Sequence, residues 1–285
     1  MNDDFNRSNI DHYLYLVAKE YKKNNRQNPE SELILVGGAS IILNYNFRNA
    51  TTDLDSIIKA SSSMKDIIKK VGDEQGLNID WLNDDFKRTI SYSAKLSEHS
   101  HFYKKFCNCL NVRTVTGEYL LAMKIRSARK YKHDMSDIIG IIKEHRERQK
   151  ELDIDKVNLA YNELYGENIN QTEMEELKKI FQTNDLEAMF YETVENESLN
   201  KKAVLRAEEL YPDTVNEKNI DDFINHFKST TDIFTDPSDN DLKDFLDIAD
   251  SDKNNETEPQ KIEFDNTKDS EQPLKNNIED EEIEL

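Results

Sequence analysis

The 285-residue chain is 36% hydrophobic and 34% charged, and its formal net charge is −20. Its two cysteines, Cys107 and Cys109, exclude a disulfide framework. Its polar N-terminus and short apolar runs predict a cytoplasmic protein with no membrane span. Residues 231–285 contain 19 acidic residues and five lysines, so most of the acidity belongs to a tail, and the net charge indicates little about the partners of the core.

Hydrophobic spacing predicts an α+β fold, with a small mixed β-sheet and flanking helices in residues 1–148. The predicted elements are a helix over 9–24, strands over 33–36 and 51–58 separated by a helix over 39–47, a helix over 63–71, strands at LNIDWL (77–82) and NCLNVRTV (108–115), and helices over 116–130 and 135–150. Residues 149–228 show only helical patterns, two of them LEAMFYETV (186–194) and KAVLRAEELY (202–211). Residues 229–285 form an acidic tail that we expect to be disordered, with DLKDFLDIAD as a helix that forms on a partner.

Two adjacent glycines follow the first predicted strand, in the segment ELILVGGASIILNYNFRNATTDLDSII. Glycine lets a backbone turn sharply and approach a ligand, because it has no Cβ. A helix that begins here presents N–H groups and a partial positive charge, which suit a phosphate. Gly37, Gly38 and the hydroxyl of Ser40 are therefore candidate phosphate ligands, and an ordinary packing turn is the alternative.

Asp53 and Asp55 lie two residues apart on the second predicted strand. Side chains alternate along a strand, so both carboxylates point to the same face. Like charges so close repel each other, and strands disfavour aspartate. A cation such as Mg²⁺, which takes one or two carboxylates together with substrate phosphates, resolves the repulsion. A pair that caps a turn is the alternative, and the combination with the two glycines favours the metal.

The order Gly-Gly, helix, Asp-x-Asp resembles the DNA polymerase β-like nucleotidyltransferase superfamily. GGASIILNYNFRNATTDLD is similar to a bacterial branch that includes AbiEii-type toxins, although Arg48 and Thr52 are one residue further apart than is usual there. The resemblance covers about residues 10–148. It implies an enzyme that moves NMP from an NTP, with Mg²⁺ (or Mn²⁺) on Asp53 and Asp55. It also implies that Thr52 lies near the phosphates and that Arg48 is either a structural residue or one near the phosphates.

The superfamily pattern requires a third carboxylate from a neighbouring strand. The segment LNIDWLNDDF offers Asp80, with Asp84 or Asp85 as alternatives. An aspartate between Ile79 and Trp81 is unexpected unless it has a function, so we take Asp80 as the third metal ligand. The resemblance implies that it holds the metal on the acceptor side and takes part in catalysis. An aspartate that ends a strand is the alternative.

A lysine and an aspartate on the next two predicted helices match the same pattern, in TGEYLLAMKIRSARKYKHDMSDIIGII. Lys124 shares an apolar face with Leu120 and Leu121, so it either snorkels to solvent or points into a cleft. The resemblance implies that Lys124 contacts nucleotide phosphate and that an aspartate at the start of the following helix completes the site. Asp137 is the candidate and Asp134 the second choice, with helix capping as the alternative for either.

The basic residues of these two helices are a candidate surface for an RNA backbone, with a solvated face as the alternative. They are Arg126, Arg129, Lys130, Lys132, His133, Lys143, Arg146, Arg148 and Lys150. The predicted acceptor is therefore RNA (tRNA included) or a protein. The resemblance further implies a toxin of a toxin–antitoxin or phage-defence system, with an antitoxin as partner. The alternative function is a catalytically silent regulator that binds nucleotide or a protein.

Two histidines and two cysteines, residue types that bind zinc, lie before the two basic helices. His99, His101, Cys107 and Cys109 follow the pattern H-x-H-x₅-C-x-C. Zinc fingers space their cysteines more widely, and an alternating strand produces C-x-C by chance. We therefore do not expect a zinc site there.

Overall fold

The computed structural model describes residues 4–26, 30–150, 152–210, 212, 214–216 and 219–230. In these residues nine α-helices surround a five-stranded sheet. The strands are β1 (Ser31–Leu35), β2 (Leu54–Lys59), β3 (Leu82–Asn83), β4 (Ser100–Phe106) and β5 (Leu110–Val115). The helices are α1 (Arg7–Asn24), α2 (Gly37–Asn44), α3 (Ser63–Gln75), α4 (Gly117–Ser127), α5 (Asp134–Glu147), α6 (Ile154–Tyr165), α7 (Gln171–Gln182), α8 (Leu186–Leu210) and α9 (Ile220–Thr230). The predicted α+β fold is confirmed.

The central strand of the sheet is β1, in the order β3-β2-β1-β5-β4. It runs antiparallel to β2 and parallel to β5. β3 runs parallel to β2, and β4 runs antiparallel to β5, so the sheet is mixed. Because β1 and β2 are antiparallel, the C-terminal end of β1 lies beside the N-terminal end of β2. The two glycines after β1 and the aspartates at the start of β2 therefore meet along this edge of the sheet, which is formed by strand ends and differs from the lateral edges formed by β3 and β4.

The third predicted strand, LNIDWL, is wrong over most of its length. Gly76, in the left-handed conformation, ends α3, and Ile79 is 76% exposed in the turn that follows. Trp81 is fully buried, but the strand begins only at Leu82. The buried Trp81 thus anchors a turn, and Asp80 lies in that exposed turn rather than on a strand.

Strand β4 has no counterpart among the predicted strands. It lies at the edge of the sheet, and only its first and last residues, Ser100 and Phe106, are buried. An edge strand with such a polar sequence shows no alternation of apolar and polar residues, which is the signal that predicts a half-buried strand.

Helix α8 joins two predicted helices into one of 25 residues. The polar segment between them contains Glu197 and Asn200, both of which are buried. The Glu197 carboxylate accepts hydrogen bonds from the N–H groups of Met135 and Ser136 at 2.9 and 3.1 Å. The Asn200 amide donates to the carbonyl of Lys130 at 2.6 Å. In the sequence these polar residues resemble the end of one helix and the start of another. In the structure they hydrogen-bond the backbone of the α4–α5 turn and of the start of α5.

Helices α6 and α7 and the first residue of α8 share a hydrophobic core with one face of the sheet. A single cluster of buried side chains includes Ile34 of β1, Leu121 of α4 and Ile180 of α7. A second cluster lies between the sheet and helices α1 and α3, and the end of α8 packs with α9 in a third. The domain boundary predicted at 148 stays a prediction. The predicted acidic tail, from residue 231 onwards, and the DLKDFLDIAD helix lie outside the described residues.

None of the described helices combines the length and the apolar composition that a membrane crossing needs.

Candidate active site

The start of α2 lies against the carboxylate of Asp55. The helix begins at Gly37, directly after Val36 and two residues earlier than predicted. Gly37 has a φ angle of +52°, which glycine adopts without steric cost. A Cβ at this position would lie 3.5 Å from Oδ2 of Asp55. Since the N-cap residue Val36 has no polar side chain, the first N–H groups of α2 and its partial positive charge remain available at this edge.

Asp53 and Asp55 lie at the start of β2, and both are half-buried. Burial and, second, the charge of Asp53 raise the pKa of Asp55 to about 6. Three cations oppose this shift: Lys132, Arg129 and Lys124. The two carboxylates therefore form a negative centre whose charges repel each other, beside a helix start and within reach of three positive side chains. A divalent cation stabilises such a pair.

A buried network of charged side chains joins α4, α5 and the segment before β2. Lys124 Nζ lies 2.7 Å from Asp134 Oδ1 and 2.8 Å from Asp137 Oδ2. Arg48 Nη1 lies 2.6 Å from Asp137 Oδ2, and Arg129 Nε lies 2.9 Å from Asp134 Oδ2. Three cations and two carboxylates leave a net charge of +1, in surroundings where low dielectric strengthens its effect on a nearby anion.

The ion pairs keep Lys124 and Asp134 charged although both side chains are buried. Burial alone lowers the pKa of Lys124, but the carboxylates of Asp137 and Asp134 raise it above its usual value. Burial likewise favours a neutral Asp134, whereas Lys124 and Arg129 hold its pKa well below the usual range. The network is therefore a fixed source of positive potential for Asp55.

Six of the predicted site residues come together in two groups. Gly37, Asp53 and Asp55 meet at the edge of the sheet. Arg48, Lys124 and Asp137 meet in the buried network. Lys124 neither snorkels to solvent nor extends freely into a cleft, because both of its carboxylate partners are buried. Its charge acts on Asp55 through space.

Two other predicted residues do not join these groups. Ser40 is fully buried, and its hydroxyl accepts a hydrogen bond from the N–H of Val115 at 2.9 Å and donates one to the Val115 carbonyl at 3.4 Å. This geometry ties α2 to β5 and leaves no exposed surface for a phosphate. Thr52 lies exposed in the bend before β2.

The strand beside Asp55 carries an amide where a third carboxylate is expected. The register of β2 and β3 pairs Asp55 with Asn83, and paired residues share a face of the sheet. Asp80 lies in the exposed turn before β3. Asp84 pairs with Lys65 and Lys87, and Asp85 with Arg88. In the part of the chain that the structure describes, no three His, Cys, Asp or Glu side chains form a group that could hold a metal ion.

Two cations of the α4–α5 turn belong to the site, although the sequence predicts for them only an RNA surface. Arg129 pairs with Asp134, and its charge lowers the pKa of Asp55. Loss of surrounding water lowers the pKa of Lys132, and Arg129 lowers it further, while Asp53 and Asp55 act in the opposite direction. The signal in the sequence is the position of this basic turn, between the predicted residues Lys124 and Asp137.

Three of the four candidate zinc ligands have other partners. The His99 ring stacks on Tyr119 with centroids 3.8 Å apart, and His101 Nε2 lies 2.9 Å from the hydroxyl of Thr114. The buried thiol of Cys109 donates to the Ala18 carbonyl at 3.4 Å.

Gly38 lies so close to two neighbours that an added methyl group does not fit. A Cβ there would lie 2.6 Å from Thr51 Oγ1 and 2.9 Å from Arg48 Nη2. We expect Gly38→Ala to displace the Arg48 guanidinium from Asp137 and to lower the free energy of unfolding by about 1–3 kcal/mol, measured by urea denaturation. In a Thr51→Ala background the loss should be smaller, because one clashing group is gone. Equal losses in the two backgrounds would refute the steric cause.

Comparison with known proteins gives a family for this arrangement. Residues 12–187, more than half of the chain, match the model of a family described as "Nucleotidyltransferase of unknown function (DUF6036)". The matched range contains the two glycines, the aspartate pair and the buried network. No curated protein and no solved structure matches the chain. The match confirms the predicted nucleotidyltransferase superfamily: this chain belongs to the nucleotidyltransferase family DUF6036.

Proposed function

We propose that this chain is an enzyme dependent on Mg²⁺ or Mn²⁺ that transfers NMP from an NTP to an RNA or protein acceptor. The observation that supports this most directly is the meeting of three features at one edge of the sheet. They are the start of α2 at Gly37, the Asp53–Asp55 pair and the cations of the α4–α5 turn. An NTP–metal complex presents the matching set: phosphate oxygens, a divalent cation and excess negative charge.

The donor set fits a magnesium-type cation. Asp53 and Asp55 supply two carboxylates, and Mg²⁺ in phosphate sites takes one or two carboxylates and completes its octahedron with phosphate oxygens and water. Burial and, second, the charge of Asp53 raise the pKa of Asp55, so its charged form is unfavourable until a cation offsets it. When bound there, the ion would supply positive charge to the phosphate oxygens and make the α-phosphorus more electrophilic.

The side chains and the backbone around the pair would bind and orient the NTP. The N–H groups of Gly37 and Gly38 would hydrogen-bond terminal phosphate oxygens at the start of α2. Arg129 and Lys132 would neutralise the charge of the triphosphate and of the departing pyrophosphate. Lys124 is held by two carboxylates, so in this proposal it positions α5 and contributes its field rather than a direct phosphate contact.

A second candidate function is a catalytically silent protein that binds nucleotide as a regulator. The observation that favours it is Asn83, since an amide lies beside Asp55 where the superfamily pattern has a third carboxylate. The two candidates differ in one result, because a silent protein binds an NTP without transferring any part of it.

The biological role that we propose comes from the resemblance to AbiEii-type toxins. In this proposal the enzyme is the toxin of a toxin–antitoxin or phage-defence system, acts in the cytoplasm and is restrained by an antitoxin. Induced expression of the wild-type chain should then arrest growth, and expression of Asp53→Asn/Asp55→Asn at the same protein level should not. Equal growth of both cultures would refute the toxin role and leave the proposed chemistry intact.

A transfer assay tests the chemistry itself. The purified chain is incubated with Mg²⁺, each of the four NTPs labelled at the α-phosphate, and separate pools of cellular RNA and protein. We expect label in one pool with the wild type and none with Asp53→Asn/Asp55→Asn. Asp73→Asn, on the exposed side of α3, is the matched control and should retain transfer. Binding of an NTP without transfer would favour the silent regulator.

Asn83→Asp tests the two-carboxylate site. A third carboxylate beside Asp55 raises the ligand charge, so we expect Mn²⁺ to bind about tenfold more tightly, measured by isothermal titration. The matched control is Asn78→Asp, which adds the same charge at an exposed position before β3. If the two variants gain equally, general electrostatic attraction explains the effect and the proposed ligand position is wrong.

A further inference from the structure

We infer that a cavity beside Asp55 receives the acceptor and that this acceptor is the end of a single-stranded nucleic acid, an inference that rests on the proposed function. The cavity has a volume of about 480 Å³. One wall is the loop after β3, from Asp85 to Ser91, and the opposite wall is the α4–α5 turn with Arg129 and Tyr131. Ile220 at the start of α9 also lines it.

The position of the cavity connects it to the aspartate pair. Asp55 pairs with Asn83 on β3, and the 3₁₀ turn Asp85–Arg88, which forms one cavity wall, begins two residues later. Arg129 on the opposite wall is within electrostatic reach of Asp55, whose pKa it lowers. One wall of the cavity therefore begins two residues after the strand partner of Asp55, and the other wall contains Arg129, one of the cations that act on Asp55.

The direction of phosphoryl transfer assigns the cavity to the acceptor. Strand β2 lies between β1, which leads into α2, and β3, which leads to the cavity. With the terminal phosphates at the start of α2, the pyrophosphate leaves on the β1 side. The attacking and leaving oxygens lie roughly in line on opposite sides of the phosphorus. The attacking hydroxyl therefore enters from the β3 side, where the cavity lies. Its oxygen forms the new bond to the α-phosphorus as the bond to pyrophosphate breaks, and its proton passes to water.

The lining of the cavity fits a nucleic-acid strand. Arg88 suits phosphate oxygens, while Ile90, which is 69% exposed, and the part of the half-buried Tyr131 ring that lines the cavity offer surfaces for unstacked bases. Asp85 and Asp221 also line the cavity, at 3.5 Å from Arg88 and 3.7 Å from Lys130. Such exposed ion pairs are weak, so a phosphate can replace the carboxylate.

Helix α9, which lines part of the cavity, lies outside the residues that match the family model. The match ends at residue 187, whereas Ile220 and Asp221 belong to α9. The α9 part of the cavity wall therefore lies outside the matched region, whereas Arg88 and Ile90 lie within it.

Binding of a short RNA in the absence of NTP tests the inference separately from catalysis. The probe is a fluorescent eight-nucleotide single-stranded RNA, and its affinity for the full chain is measured by anisotropy over a salt series. We expect Arg88→Ala/Ile90→Ser to weaken binding about tenfold or more and to reduce the salt slope by about one phosphate contact. Both side chains are exposed, and thermal melts confirm that the fold is retained.

The matched control is Arg206→Ala/Leu205→Ser on α8. Arg206 also pairs with an acidic residue three positions away, and Leu205 is 59% exposed. This control should change RNA affinity by less than about twofold. Equal weakening by both variants, or a wild-type chain that does not bind the RNA, would overturn the inference. Transfer of label to the protein pool would also overturn the inference, but it would leave the proposed function in place. A wild-type chain that binds RNA and transfers no label would refute the proposed function instead.

Discussion

Asp55→Asn is expected to abolish nucleotidyl transfer and to make the fold more stable. At neutral pH the wild-type carboxylate is charged, although burial and Asp53 raise its pKa from 3.8 to about 6. The amide removes this unfavourable charge, and we expect a gain of about 1–2 kcal/mol in the free energy of unfolding after allowance for partial exposure. Transfer should fall by at least about a thousandfold, because a ligand of the cation is lost.

The stability difference between Asp55→Asn and the wild type should depend on pH, and the raised pKa of Asp55 gives the sign of that dependence. A carboxylate whose pKa is higher in the folded state binds more protons there between pH 3.8 and about 6, so folding loses stability as pH rises through this window. Without metal, Asp55→Asn should therefore match the wild type in stability below pH 4 and exceed it most above pH 6. Urea denaturation across this range measures the difference, with Asp73→Asn as the control. A destabilised Asp55→Asn, or a difference independent of pH, would contradict the account.

Lys124→Met is expected to be strongly destabilising. The substitution leaves Asp134 and Asp137 buried without the cation that lies within 2.8 Å of both. Removal of one partner from a buried ion pair costs about 3–5 kcal/mol, because an uncompensated charge remains. Arg48 and Arg129 remain as partners of these carboxylates, which keeps the loss within that range. Chemical denaturation at pH 7 gives the value.

Lys70→Met provides the matched comparison for Lys124→Met. Lys70 also has two carboxylate partners, Glu20 at 2.5 Å and Glu74 at 3.9 Å, but its side chain is 48% exposed. An exposed pair contributes about 0–1 kcal/mol, so this control should be nearly neutral. If the two lysine variants lost equal stability, burial would not be the reason why the Lys124 network matters.

The sequence predicts the part of the site that depends on local pattern. Gly37 follows β1, Asp55 lies near the start of β2 and Asp53 directly precedes that strand, so their meeting follows from the order of two antiparallel strands. The resemblance adds Arg48, Lys124 and Asp137, and the structure joins all three in one network. What pattern cannot give is the state of each side chain, and Lys124 proves to be fully engaged by carboxylates.

The remaining residues depend on tertiary packing. Asp80 is a candidate because LNIDWL reads as a strand, yet Ile79 is exposed and pairing begins only at Leu82. The position beside Asp55 thus belongs to Asn83, which no local pattern distinguishes. Ser40 is a further case, since the bond that buries its hydroxyl comes from Val115, far along the chain.

The fold shows the same division. Helices with a clear apolar face are predicted to within a few residues, because that periodicity is local. Edge strand β4 has no alternation, and the continuity of α8 depends on Glu197, whose carboxylate accepts hydrogen bonds from the start of α5. Each of these features depends on contacts distant in sequence.

The most direct test of the central claim is a crystal structure with Mn²⁺ and a non-hydrolysable NTP analogue. The anomalous signal of manganese locates the ion independently of the protein density. We predict a manganese peak between the carboxylates of Asp53 and Asp55, with the terminal phosphates on the N–H groups of Gly37 and Gly38. Manganese bound at other carboxylates, or a triphosphate placed away from the start of α2, would contradict the account.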